Sequence, residues 1–141
     1  MSDLLSTACE AGRLVVADIV FTATHTVLTG LDDDNIALPN VIVSASDTGE
    51  EIPIGRGNHV IRLRFTKNSN AHDTTLAVHR ADFGTLVDAV ETDTIGATLA
   101  GKSADFYAYD PYRGIELGEE VTEDHFSSWI ELEMLACRVD I

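Results

Sequence analysis

The segment 59–66 reads His59-Val60-Ile61-Arg62-Leu63-Arg64-Phe65-Thr66, and apolar and polar side chains alternate along it. Successive side chains of a β-strand point to opposite faces, so this alternation is typical of a strand with one buried face. The odd-numbered apolar side chains would face a core, and the two arginines would face the other side. The segment therefore predicts a strand in a half-buried sheet.

Helical spacing of apolar residues predicts an amphipathic helix at the N-terminus. Ser2 or Asp3 can cap it, and we place its end between residues 21 and 26. A second helix follows a cap at residue 73 or 74. Gly84 inside it costs about 1 kcal/mol relative to alanine, which indicates close packing at that point. The inward-facing residues of this helix are Leu76, Phe83, Leu86, Val87 and Val90.

Three further strands are predicted, over residues 41–45, 104–109 and 128–139. After Met134 the apolar phase changes, which predicts either a bulge or a strand covered on both faces. The remaining predictions are a turn over residues 46–49, a short helix over 94–100 and a solvated acidic loop over 116–124. Together these elements predict an α+β fold in one domain, residues 1–141, with a mostly antiparallel four-stranded sheet and helices packed on one face.

The chain is strongly acidic. Its 141 residues include 24 acidic and 9 basic side chains, a formal net charge of −15. This charge repels the phosphate backbone, which argues against a reader of DNA grooves, and it favours basic partners. No apolar run reaches the roughly 18 residues of a membrane span, and the N-terminus lacks the pattern of a signal peptide. We therefore expect synthesis in the cytoplasm, no membrane partner, and buried free thiols at Cys9 and Cys137.

Motifs for metal binding or catalysis lack support in the sequence. His72 and His79 lie seven residues apart without a further ligand set, so a surface or capping role is predicted for both. The acidic run 32–34 starts like a calcium loop but lacks its glycine and glutamate. Neither a serine nucleophile elbow nor a reactive-cysteine signature occurs. We therefore expect no metal and no cofactor, and no residue is identified as catalytic.

Positive charge concentrates in residues 40–70, which hold four of the nine basic residues against three acidic ones. Two interpretations of the strand arginines stay open. They pair with Glu131 and Glu133 across the same sheet face, or they bind an acidic surface of a neighbouring copy. The basic interface candidates are Arg56, Arg62, Arg64 and Lys67. The aromatic interface candidates, for which core packing is the alternative, are Tyr107, Tyr109, Tyr112 and Trp129.

Four segments between residues 37 and 75 carry a family resemblance. They are Ala37-Leu38-Pro39-Asn40-Val41-Ile42-Val43-Ser44, Gly49-Glu50-Glu51-Ile52-Pro53, Gly57-Asn58-His59-Val60 and Asn70-Ala71-His72-Asp73-Thr74-Thr75. Together with the helix that contains His79 and the strand near Cys137, they resemble the tail-terminator (tail-completion) proteins of the neck of tailed bacteriophages. The similarity is strongest over residues 37–92 and covers none of the acidic segment 116–124.

The resemblance implies a compact subunit without a catalytic site. Such subunits form a hexameric ring on the last ring of the tail tube, stop its polymerisation and present a surface to the head connector. The implied partners are further copies of the chain, the tail-tube protein and a connector or stopper protein. The implied location is the neck of the virion.

The same resemblance gives the negative charge a purpose. An acidic inner wall would repel passing DNA, so the genome could slide through without specific binding. Candidate lumen or loop acids are Asp32, Asp33, Asp34, Glu119 and Glu120. Three other interpretations compete with a tail terminator. They are a head-tail stopper or other neck subunit, an acidic inhibitor or immunity-type protein that binds a basic partner, and an enzyme whose pocket the sequence does not reveal.

Overall fold

The computed structural model describes residues 2–30, 37–51, 59–110 and 112–138. The helices are α1 (Ser2–Ala17), a 3-10 helix (Val20–Thr24), α2 (Leu76–Val90) and α3 (Ile95–Ala100). The strands are β1 (Thr26–Thr29), β2 (Asn40–Glu51), β3 (His59–Asn70), β4 (Phe106–Ala108), β5 (Gly114–Val121) and β6 (His125–Arg138). The candidate residues Asp32, Asp33, Asp34 and Arg56 lie outside the described residues.

The six strands form one mixed sheet. Its order is β1-β2-β3-β6, and both β4 and β5 pair with the other edge of β6. The pair β1–β2 is parallel, and all the other described pairs are antiparallel. The predicted α+β class is confirmed. The predicted number of four strands is wrong, because β1 and β5 are not among the predicted strands. The mostly antiparallel pairing is confirmed, and the pair β1–β2 is its exception.

The missed strand β1 replaces the predicted end of the N-terminal helix. The helix α1 ends at Ala17, before the predicted range of 21–26. The hydroxyl of Thr22 donates to the carbonyl of Ile19 over 2.7 Å and closes the turn that follows α1. The β-branched residues after this turn then pair with β2, from Thr26↔Asn40 to Thr29↔Val43. Tertiary pairing, not helix propensity, decides the conformation of this segment.

The missed strand β5 occupies most of the predicted acidic loop 116–124. It forms a hairpin with β6, closed by a hydrogen bond of 2.9 Å from the backbone N–H of Thr122 to the carbonyl of His125. Leu117 and Val121 alternate with glutamate and glycine, but the charge of the segment hides this period of two. The prediction of a solvated loop is therefore wrong for residues 116–121.

The predicted strands have different limits in the structure. The strand β2 continues through the predicted turn at 46–49, and β3 extends four residues past the predicted end at 66. The register between β3 and β6 runs without a shift from His59↔Ala136 to Asn70↔His125. The bulge predicted after Met134 is therefore absent from this ladder.

One hydrophobic core lies between the helices and a single face of the sheet. Ile61, Leu63 and Phe65 of β3 are fully buried in it, as the alternation predicts. The small residue Gly12 lets α1 approach the sheet, since a Cβ at this position would lie 2.8 Å from Cγ1 of Val43. No helix in the described part of the chain is long and apolar enough to cross a membrane.

The helix α2 is capped by Thr75, whose hydroxyl accepts a hydrogen bond of 3.2 Å from the N–H of Val78. The cap predicted at residue 73 or 74 is therefore wrong by one or two positions. Gly84 is exposed, and a Cβ there would have no neighbour within 4 Å. The predicted close packing at Gly84 is wrong, and close approaches of a helix to the sheet occur instead at Gly12 of α1 and Gly96 of α3.

Candidate functional site

The face of the sheet opposite the helices is the candidate interaction surface, and we call it the open sheet face. Its side chains come from alternate positions of β2, β3, β5 and β6. A shallow depression of about 460 Å³ lies where these strands meet. The residues of the open sheet face are Ile42, Ser44, Arg62, Arg64, Thr66, Asn68, Glu116, Gly118, Glu120, Ser127, Trp129, Glu131 and Glu133.

The two arginines of the open sheet face pair with glutamates of the same chain. The Nε of Arg64 donates to Oε2 of Glu131 over 3.0 Å. The Nε of Arg62 donates to Oε2 of Glu133 over 3.4 Å. These residues are opposite one another in the β3–β6 register. Of the two interpretations left open by the sequence, the pairing across the sheet is the one the structure shows.

This pairing leaves the open sheet face acidic. Partly exposed ion pairs of this kind contribute at most about 1 kcal/mol each. Their main effect here is to neutralise the arginines. The face carries two arginines against four glutamates, so it has an excess of two negative charges.

Trp129 lies across the open sheet face and connects three strands. Its indole covers Gly118, the residue opposite it on β5, and a Cβ at Gly118 would collide with the ring. On the other side, Cζ of Arg64 lies 5.3 Å from the centroid of the Trp129 ring. An aromatic side chain over a glycine of an edge strand stabilises the register of that strand. Trp129 therefore holds β5 against β6.

The three tyrosine candidates have different surroundings. Tyr107 and Tyr109 are 46% and 37% exposed, and their rings meet edge to face with centroids 4.8 Å apart. Tyr112 packs against the hydrophobic core, and its hydroxyl lies 3.5 Å from Oε1 of Glu91. Tyr107 and Tyr109 remain interface candidates. Tyr112 has the core position that was the alternative for the aromatic residues.

Lys67 is not part of a basic surface stripe. Odd-numbered residues of β3 face the core, so Lys67 shares the face of Phe65 and is 1% exposed. Its Nζ donates to Oγ of Ser69 over 2.7 Å and lies 5.8 Å from the centroid of the Phe21 ring. Burial lowers the pKa of Lys67, and the nearby carboxylate of Asp82 opposes this shift. The predicted interface role of Lys67 is wrong, because odd-numbered residues of β3 face the core.

His79 is the centre of a buried polar cluster that we define as Lys67, Ser69, His79 and Ser128. Its Nδ1 lies 2.8 Å from Oγ of Ser69, and its Nε2 lies 2.9 Å from Oγ of Ser128. Burial, followed by the charge of Lys67, lowers the pKa of His79 to about 4. The imidazole is therefore neutral at pH 7, and the surface or capping role predicted for His79 is wrong.

A chain of polar contacts connects the buried polar cluster to the surface. The hydroxyl of Ser128 donates to Oε2 of Glu119 over 3.3 Å. The same carboxylate accepts from Nε of Arg80 at 3.1 Å, and this hydrogen bond lowers the pKa of Glu119. His79 and Ser128 are fully buried, so neither is accessible to a substrate. The cluster therefore has the geometry of a structural network whose stability depends on pH.

His25 lies near this network. Burial, followed by the charge of Lys67, lowers its pKa. Its Nε2 is buried and has no hydrogen-bond partner among the described residues. His72, by contrast, is exposed, with Nε2 2.8 Å from Oδ1 of Asp124, in agreement with its predicted surface role.

The candidate acids Glu119 and Glu120 lie on opposite faces of β5. Glu120 borders the depression on the open sheet face. Glu119 points to the helix side, where it binds Arg80. Only Glu120 of this pair is placed to contribute charge to the open sheet face.

The cysteines and histidines form no candidate metal centre in the described part of the chain. No group of three or more His, Cys, Asp or Glu residues there could hold a metal ion. Cys9 and Cys137 are free and half-buried, so they are less buried than the sequence predicts. Burial raises the pKa of Cys9, which disfavours its reactive thiolate.

Comparison with known proteins assigns no family. No family model matches the chain, and no curated protein matches it. The tail-terminator interpretation therefore depends on the quoted sequence segments and on the physical properties of the open sheet face.

Replacing Lys67 with methionine should raise the free energy of unfolding at pH 7 by about 1 kcal/mol, because an apolar side chain removes the cost of burying an ammonium group. The gain should shrink as the pH rises. Because the pKa of Lys67 is lowered in the folded protein, its ammonium group loses its charge at a lower pH there than in the unfolded chain, and the wild type then gains stability. Urea unfolding measures both effects. Arg62→Met, a change on the open sheet face, is the control and should change stability by less than about 0.5 kcal/mol. A loss of stability in Lys67→Met would contradict the prediction.

Proposed function

We propose that this chain is a structural protein of the neck of a tailed bacteriophage, of the tail-terminator type. In this role a hexameric ring ends tail-tube polymerisation and joins the tail to the head connector or stopper protein. The role involves no catalytic step, and the protein acts in the virion. The observation that carries the proposal is the acidic open sheet face, whose arginines are neutralised within the chain.

The wall of a DNA channel has to avoid binding a polyanion. Free arginines would bind phosphates and release counterions, which would hold the genome in place. Glu131 and Glu133 remove this possibility by pairing with both arginines. Glu116 and Glu120 then give the face its negative excess. If this face lines the lumen of a ring, DNA passes it without specific binding.

A ring also needs contacts between neighbouring subunits. Tyr107 and Tyr109 supply an exposed aromatic pair at the sheet edge formed by β4. Their edge-to-face contact restricts both rings before any partner binds. Aromatic side chains that lose little freedom on binding are favoured at protein interfaces. We propose this pair as part of the contact between subunits.

Negative-stain electron microscopy of the purified protein, alone and mixed with its candidate tail-tube protein, tests the proposal. The expected result is rings of roughly six copies, or tubes whose ends stop growing. The double variant Tyr107→Ser/Tyr109→Ser should lose most rings because it removes the aromatic contact. The matched control Val78→Ser changes another exposed apolar side chain, on α2, and should keep the rings.

Two outcomes would contradict the proposal. A monomer that neither assembles nor caps tubes would favour the acidic inhibitor or immunity-type protein, and capture of one basic partner would then identify its target. Rings that bind a connector but leave tube growth unchanged would favour a head-tail stopper.

A further inference from the structure

We propose that the outer edge of β5 binds an extended segment of a partner protein, in which apolar residues alternate with basic ones, as an additional strand of the sheet. The proposal does not depend on ring formation. It is carried by an unpaired strand edge, an exposed apolar row and an uncompensated acidic row on the same strand.

The strand β5 has a free edge. All eight of its residues pair with β6, from Gly114↔Glu133 to Val121↔Phe126. Among the described residues, no strand pairs with its other side. In an antiparallel ladder, about every second residue directs its N–H and C=O away from its neighbour. These groups are available to an incoming strand, which is the basis of recognition by β-strand addition.

An exposed apolar row follows this edge on the helix side. Ile115, Leu117 and Val121 are 40%, 53% and 47% exposed. Their partners on β6 are all buried: Leu132, Ile130 and Phe126. The apolar surface of the sheet therefore continues past the covered strand β6 onto the uncovered strand β5. Alternate apolar side chains of a docked segment would cover this row.

The other face of β5 is acidic. Glu116 and Glu120 alternate there with two glycines, and neither glutamate forms an ion pair within the described residues. Glu119 differs, because it binds Arg80. Alternate lysine or arginine side chains of a docked segment would face Glu116 and Glu120, where opposite charges on adjacent strands are favourable.

The same charges argue against a second copy of β5 as the occupant. In the antiparallel register of two β5 strands that is centred on Gly118, Glu116 of each strand would face Glu120 of the other. Like charges directly opposite one another destabilise a strand pair. This register of two copies is therefore disfavoured, whereas a basic segment meets attractive charges at Glu116 and Glu120.

Trp129 makes this edge a preorganised template. Its indole covers Gly118 in the middle of β5 and is itself bounded by Arg64. The strand is thus held in place before a partner binds, which reduces the entropy that binding has to overcome.

The first experiment titrates the isotope-labelled chain with a synthetic peptide of the length of β5, in which valine alternates with lysine, at about 150 mM salt. We expect NMR shifts of backbone amides in residues 114–121. A matched peptide with glutamate in place of lysine should bind at least about tenfold more weakly. Absence of shifts in β5, or equal binding of both peptides, would overturn the proposal.

The second experiment changes the protein. Glu116→Lys/Glu120→Lys should weaken binding of the lysine peptide by about tenfold, because two attractive pairs become repulsive. Asp88→Lys/Asp105→Lys makes the same change in net charge at exposed positions outside β5 and should weaken binding by less than about twofold. Leu117→Ser should weaken binding several-fold, and thermal unfolding checks that each variant is folded. Equal weakening by both double variants would show a non-specific charge effect and overturn the proposal.

A third measurement tests the competing occupant. The concentration dependence of the NMR spectrum without peptide reports self-association. Constant signals over residues 114–121 support a foreign segment. Broadening of these signals as the concentration rises would show that a second copy occupies the edge, and would overturn the proposal.

Discussion

Between pH 6.5 and pH 4, the free energy of unfolding should fall by about 3 kcal/mol because of His79 alone. The unfolded chain binds this proton near pH 6.5, whereas burial and the charge of Lys67 lower the pKa of the folded protein's His79 to about 4. Between these pH values the unfolded state holds more protons, so acid favours unfolding. Urea unfolding at a series of pH values measures the loss.

The variant His79→Gln isolates this contribution. Its amide can bind the hydroxyls of Ser69 and Ser128 but does not titrate in this range. As the pH falls from 6.5 to 4, the wild type should therefore lose about 3 kcal/mol more stability than this variant. His72→Gln changes an exposed histidine and should keep the acid dependence of the wild type.

Parallel stability curves for the wild type and His79→Gln would contradict this prediction. So would an NMR titration of the His79 ring with a midpoint near 6.5. Glu10 and Glu119, whose pKa values are lowered by Arg13 and Arg80, contribute stability that is lost below their ordinary value of 4.5. Their effect falls largely below the window in which His79 acts. The lowered pKa of His25 also makes acid favour unfolding, so the comparison with His79→Gln is what isolates His79.

The buried polar cluster shows how much the alternation of residues along a strand can predict. The alternation of β3 assigns odd-numbered residues to the core, and Lys67 and Ser69 are odd-numbered like Phe65. The charge of Lys67 suggested a surface position, although continued alternation indicates burial. The position of His79 was harder to predict, because its contact with Ser128 joins residues that are 49 positions apart.

The sheet was partly predictable for a similar reason. Local alternation predicts the core strands β3 and β6, and it also predicts that Arg62 and Arg64 pair with glutamates. The strands β1 and β5 depend on partners elsewhere in the chain. A four-residue parallel strand gains little from local propensity, and β5 is exposed enough to carry glutamates among its apolar residues.

Gly12 and Gly84 show the same contrast within helices. Each glycine carries the same propensity cost, about 1 kcal/mol relative to alanine. Gly12 lies four residues after Ala8 and four before Val16, both fully buried, so its position in the apolar stripe indicates contact with the core. Gly84 lies outside the stripe of α2 and faces solvent. Position in the periodic pattern therefore distinguishes these two glycines.

Gly12→Leu should lower the free energy of unfolding by about 3 kcal/mol. A Cβ at this position would already lie 2.8 Å from Cγ1 of Val43 and 3.2 Å from Cε2 of Phe65, and leucine adds further atoms in the same direction. Both neighbours are fully buried and cannot move aside without disturbing the core. Urea unfolding measures the loss, and circular dichroism shows whether the variant folds.

The control for this prediction is Gly84→Ala, which should raise stability by about 1 kcal/mol because a Cβ there meets no neighbour. Gly12→Ala separates packing from propensity further. Gly12→Ala has the same gain in helix propensity, but its methyl group displaces Val43. Its change in stability from the wild type should therefore be less favourable than that of Gly84→Ala. If Gly12→Leu and Gly84→Ala changed stability in the same direction, α1 would not lie against β2 and β3 at Gly12. Opposite signs would instead show that α1 approaches the sheet closely because residue 12 has no side chain.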